Sequence, residues 1–186
     1  YFYNIPPYIQ YQTPLLQNML EIIRETKFYL DAGGRPELPP AIAALKLLIG
    51  GSVYRMGIGG LHSSEKCAAH LADENTLLID RDVASFYPRI ILNLGLFPQH
   101  LGPGFLTVYD SIVTRRLEAK KAKNNIVADS LKITINGSFG KLGSPYSTLY
   151  APDLMLQVTI TGQLSLLLLI ERIELVGIPV ISGNTD

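Results

Sequence analysis

An α+β fold is predicted from three observations. Several stretches of 13 to 25 residues carry apolar side chains at helical spacing. Two short apolar runs, TLLIDRDV (76–83) and IPVIS (178–182), read as strands. The two runs are separated by long helical excursions, which favours an α+β layer over alternating βαβ units.

Residues 1–12 are aromatic and proline-bearing and are expected to be extended. Thr13-Pro14 then offers an N-cap and a first-turn proline, and the spacing that follows predicts a helix over 14–30. DAGGRPELPP (31–40) is loop by composition, and AIAALKLLI is expected to form a second helix up to Gly50-Gly51. SVYRMGIGGLHSSEK reads as a short strand broken by Gly57, Gly59 and Gly60. Residues 84–93 read as a turn entering a helix, and LGLFPQHLGPG as loop. Helices are predicted over 109–124, 127–139 and 152–176, with a turn-rich loop at 140–147. No internal repeat interrupts this order. The segments group as a helical stretch (1–52), a strand-bearing unit (53–100), a helical pair (101–145) and a final helix and strand (146–186).

Composition narrows the function classes. With 47% hydrophobic residues the chain can bury a sizeable core. Charged residues reach only 17%, and 16 basic residues balance 16 acidic ones. A nucleic-acid-binding surface must therefore be a local patch and not a basic total. The single Cys67 excludes an internal disulfide framework and a cysteine-rich zinc site. The most apolar run, Leu164–Ile170, is too short to span a bilayer without its polar neighbours, so a buried core helix is expected and no membrane partner. The chain opens without Met and stops directly after a strand-like run, the pattern expected of a fragment.

Four constellations carry chemistry. In RDVASFYPRIIL (81–92) Asp82 follows an apolar run and precedes Ser85, Phe86, Tyr87 and Pro88, so it either faces a cleft or caps the following helix. Asp80 shares its strand face, because side chains repeat every second residue. In LKITINGSFGKLGS, Lys132, Asn136 and Phe139-Gly140 share one helix face, which suits a clamp on a nucleotide or, alternatively, a solvated face closed by a glycine C-cap. Between residues 115 and 141 seven Lys/Arg face two acids, and Arg116 and Lys120 lie at i, i+4. This is the local basic patch that a neutral total requires, although charge runs are usually plain solvated faces. In IPVISGNTD a run turns at Gly183 and presents Asp186, unless it is an ordinary surface turn.

Together the four resemble family B DNA polymerases of the phage type, in order and in spacing. Asp82-Val83-Ala84-Ser85-Phe86-Tyr87-Pro88 is similar to that family's D-x-x-S-L-Y-P. Lys132, Asn136, Phe139 and Gly140 match K-x-x-x-N-x-x-Y-G, Arg116 and Lys120 match R-x-x-x-K, and Asn184-Thr185-Asp186 resembles D-T-D. YRMGIGGLHSSE resembles a glycine-bearing stretch upstream of these motifs. The motifs cover residues 53–186, and residues 1–52 match in general character only.

The resemblance implies palm strands with a helical fingers insertion, and template-directed transfer of dNTPs to a primer 3′-hydroxyl on primer-template DNA. It implies two Mg²⁺ ions, with Mn²⁺ as a substitute, held by Asp82, Asp186 and the carbonyl of Val83, about 3.5–4 Å apart. Arg116, Lys120 and Lys132 would neutralise the triphosphate, with Lys132 also protonating pyrophosphate, and Asn136 and Gly140 would support the nucleotide. Ser85, Phe86 and Tyr87 would contact phosphate through their amides, with the Tyr87 ring rejecting a 2′-hydroxyl. Gly59, Gly60, His62 and Phe139 would touch DNA, although His62 equally reads as a hydrogen-bonded loop residue. The resemblance further implies a phage replicative enzyme acting in the host cytoplasm, whose exonuclease and thumb lie outside these residues. Two departures stand out: Asn184 replaces the first aspartate of D-T-D, and Phe139 replaces a tyrosine. Another palm enzyme, or a non-catalytic nucleic-acid-binding remnant, is the alternative.

Overall fold

The structure, a computed structural model, describes residues 1–185. It is α+β: six α-helices and a small antiparallel sheet of order β1-β2-β3 among the described residues.

α1 (Pro14–Glu25) begins at the predicted proline but stops at Thr26, five residues short of the expected end. It buries Leu16, Met19, Leu20 and Ile23, an i, i+3, i+4, i+7 stripe. The predicted second helix is a correction. Only the single turn α2 (Pro40–Ala43) forms, and the next residues turn into β1 (Leu47–Ile49). β1 pairs with β2 (Ser52–Met56) through Leu47↔Tyr54 and Ile49↔Ser52, across a turn at Gly50 with φ 57. Leu47 is buried and Leu48 exposed, so a period of two wins over the helix propensity of Ala and Leu. β3 (Leu61–Ser64) completes a hairpin with β2, so the glycines of 57–60 are its turn and not a break in one strand.

Two further predictions are corrected. TLLIDRDV is not a strand: residues 65–84 are exposed and carry no ladder, with Leu77 and Ile79 at 78% and 62% exposure. An apolar run makes a strand only where an edge accepts it, and β3's open edge is occupied by residues 183–185. Residues 178–182 likewise form no strand. They lead into that edge, where Thr185 N–H donates to Leu61 O at 3.0 Å. The sheet is thus local, without helical excursions between its strands.

The long helices fall where predicted, although the first of the pair begins at Gly104 and not at 109, and the second runs to Lys141 and not to 139. α3 (Phe86–Asn93) follows Ser85, which turns the chain at φ 56. A single 3-10 turn (Gln99–Leu101) precedes α4 (Gly104–Lys121), and α4 packs on α5 (Asn125–Lys141) as a helical hairpin. The hairpin turns at Lys123, φ 56, and Asn124 caps α5 by accepting from Val127 N–H. α6 (Pro152–Leu175) is long and apolar enough to cross a membrane, yet most of it is buried inside the protein, as a core helix should be.

α6 links two apolar clusters. A stripe along its length (Leu156, Ile160, Leu164, Leu167, Ile170) belongs to one cluster with α1, the sheet and the N-terminal segment. Leu154 and Val158, on another face of its first two turns, belong to the second cluster with α3, α4 and α5. Residues 1–12 lie along α6: the Tyr3 hydroxyl meets Thr161 Oγ1 at 2.8 Å, and Tyr11 donates to Leu164 O at 2.8 Å. Burial raises the pKa of both hydroxyls well above the ordinary range.

Candidate nucleotide-binding site

The turn Gly57–Gly60 is where separate parts of the sequence meet. It closes through Gly57 N–H to Gly60 O at 2.9 Å. Tyr87, in the first turn of α3, donates its hydroxyl to Gly59 O at 3.0 Å. Its ring stacks on Phe139 of α5, centroids 4.9 Å apart and planes 19° apart, with Phe86 tilted beside it at 5.7 Å. On the other side of the turn, Leu61 N–H donates to Thr185 Oγ1 at 2.7 Å.

Gly60 has to be glycine here. A Cβ at this position would lie 2.3 Å from Thr185 O and 2.4 Å from its Oγ1, and a backbone oxygen cannot swing aside. Gly60→Ala is therefore expected to part Thr185 from Leu61 and to cost about 1–3 kcal/mol. The urea midpoint should fall and the Leu61 amide should exchange faster, whereas an unchanged midpoint would rule out the close approach.

Arg116 of α4 reaches α3 from a second direction. It is half-buried, and its Nη1 donates to Ser85 Oγ, while its Nε is buried without a partner. Beyond it Lys120 is exposed, as are Arg115, Lys121, Lys123, Lys132 and Lys141. Among the described residues none of these cations is in an ion pair; Arg24–Glu21 is the only one found there. On α5, Lys132 and Asn136 are both exposed, while Phe139, a turn further on, faces Tyr87. Gly140 lies inside α5 with open space at its Cα, so it is not the helix's C-cap, a position that Leu142 takes.

Other predicted residues fall as follows. Asp82 and Val83 are exposed on the irregular stretch before Ser85, as is Asp80. Asp82 does not cap α3, whose N-cap is Ser85, and its carboxylate has no partner among the described residues. His62 stands exposed on β3 opposite Arg55, so it is a strand residue and not a loop residue. Asp186 lies outside the described residues. Among these, no group of three His, Cys, Asp or Glu converges. Of the two carboxylates expected to hold Mg²⁺, Asp82 is the one described; it has no partner among the described residues and is a hard donor of the type Mg²⁺ takes one or two of while keeping its waters.

Four residues make contacts here that the sequence did not assign to them, two of them (Asn184 and Thr185) within the D-T-D resemblance. Thr185 is buried and ties the last segment to β3, so this stretch is not an ordinary surface turn. Asn184 accepts from Ser63 N–H through Oδ1 at 2.9 Å, a role that either an amide or a carboxylate can fill. Gly162 and Gln163 of α6 contact Tyr87 and Gly57. An isolated glycine and glutamine inside an apolar helix were the only signal available.

No protein-family model, curated protein or solved structure matches the chain.

Proposed function

We propose that these residues carry the nucleotide-transfer site of a phage-type, template-directed DNA polymerase, which adds dNTPs to a primer 3′-hydroxyl. The observation that carries the reading is the junction of Tyr87, Phe139, Gly59, Ser85 and Arg116. These residues come from four segments, each singled out for nucleotide or DNA contact. The stacked aromatic pair is largely packed inside, Tyr87 buried and Phe139 half-buried, and its rim beside the glycine turn is what a sugar would meet. The neighbouring unpaired cations offer charge to a triphosphate.

Arg116 is held by Ser85 through Nη1, so its guanidinium is pre-oriented. Lys120 lies one turn further along the same face of α4. Lys132 and Asn136 extend the polar surface along α5, and Lys132 would give a proton to the departing pyrophosphate. Tyr87 is anchored at its hydroxyl and along one ring face, and a gate that discriminates by shape requires that rigidity. Mg²⁺ would be held by Asp82, the Val83 carbonyl and Asp186, and when bound supplies charge neutralisation at the attacking and leaving oxygens.

Primer extension by the full-length protein with dNTPs and Mg²⁺ tests the reading. Template-dependent extension is expected, and its absence would leave a non-catalytic nucleic-acid-binding protein. Tyr87→Ala should raise ribonucleotide use relative to deoxynucleotide use by about tenfold or more. An unchanged ratio would remove Tyr87 from the gate.

A further inference from the structure

We propose that Gly162 and Gln163, adjacent on the buried face of α6, are positioning residues that hold Tyr87 and the Gly57–Gly60 turn in register and so set sugar discrimination. The inference rests on the polymerase reading for its catalytic consequence, but its geometry stands alone. Gln163 is fully buried, and its side-chain amide grips both backbone groups of one residue. Its Oε1 accepts from Gly57 N–H at 3.2 Å, and its Nε2 donates to Gly57 O at 2.8 Å. A buried amide that uses donor and acceptor on a single peptide site fixes the turn in position and in orientation. One residue earlier, Gly162 leaves room for aromatic rings. A Cβ there would lie 2.7 Å from Tyr87 Cε1, 3.3 Å from its Cδ1 and 3.2 Å from Phe86 Cε1.

The Tyr87 ring cannot retreat freely from such a Cβ. Phe139 stacks on it, and its hydroxyl is tied to Gly59 in the turn that Gln163 holds. Displacing the ring therefore moves the turn, and releasing the turn loosens the ring. α6 joins the two through a single peptide unit. Helix propensity alone would favour alanine over glycine at 162 by about 1 kcal/mol, so a glycine there runs against local preference.

The experiment compares Gly162→Ala and Gln163→Leu with the parent full-length protein by two readouts. The first is single-nucleotide primer extension with dNTP and rNTP, separating kcat from KM. The second is ¹⁹F NMR of the same proteins carrying 3-fluorotyrosine at position 87, which needs no turnover. Gly162→Ala should raise the dNTP KM and shift the rNTP:dNTP ratio toward rNTP by about tenfold. It should also move the position-87 resonance. Gln163→Leu should broaden that resonance and speed exchange of the Gly57 amide, and it serves if Gly162→Ala does not fold. A moved resonance in a parent that extends no primer would uphold the positioning role and reject the polymerase reading. Active variants with an unchanged ratio and an unmoved resonance would overturn the inference. So would unmoved resonances in an inactive parent.

Discussion

Replacing Asp186 with Ala in the full-length protein is expected to abolish primer extension while leaving primer-template binding nearly intact. Asp82→Ala is expected to match it. On the proposed function the two carboxylates act only on charge that develops at the reacting phosphate. Their loss should therefore remove transition-state stabilisation and spare the contacts that hold DNA. Several kcal/mol of such stabilisation corresponds to a fall in kcat of about 10³-fold or more. The basic surface of α4 and α5 is untouched by either change, so binding measured by fluorescence anisotropy should stay within about twofold, under about 0.5 kcal/mol. Extension that persisted undiminished in Asp186→Ala would end the catalytic assignment. If Asp80→Ala silenced the enzyme and Asp82→Ala did not, the first metal ligand would have to be reassigned to Asp80, which lies on the same exposed stretch.

The largest expected effect on stability is at Glu171, far from the chemistry. This carboxylate is 2% exposed and reaches from α6 to the start of α1. It accepts from Gln12 N–H at 3.1 Å, from Thr13 N–H at 2.8 Å and from Thr13 Oγ1 at 2.6 Å. Thr13 makes no side-chain cap of its own to α1, so Glu171 supplies the negative charge that the positive end of that helix favours. Glu171→Ala would strand these donors and open a void beside α1. A loss of about 3 kcal/mol is expected, lowering Tm by about 6–12 °C in a chain of this size. Glu171→Gln should keep the volume and part of the bonding and fall between. A Tm within about 2 °C of the parent for Glu171→Ala would mean that water takes over the carboxylate's bonds.

The residues explain what was legible in the sequence. The basic helical pair and α6 were readable because their patterns are long, and a long periodic pattern is settled largely within the segment itself. Residues 45–49 and 76–83 were misread because a short apolar run takes its state from its neighbours. Leu47 became a strand residue because Tyr54 was there to pair with it, whereas Leu77 and Ile79 found no edge. In the candidate site, the spacing of Lys132, Asn136 and Phe139 showed a shared face, and Phe139 does turn to Tyr87. Spacing could not show that Gly162 makes room for that ring, nor that Gln163 grips Gly57. Those facts depend on contacts across more than 70 residues of sequence, which no local pattern records.

The packing of residues 1–12 along α6 also fixes an order of events. Tyr3 and Thr161 are 158 residues apart, and Thr13 and Glu171 equally so. During synthesis, at about 5–20 residues per second, residues 1–13 must wait for the 158 residues that separate these partners before their partner helix appears. In that interval Ile9, Tyr11, Leu16 and Ile23 have no α6 to cover them. The helical hairpin of α4 and α5, whose contacts are local, can form first. The helix that lets residues 1–12 leave water is thus made long after them.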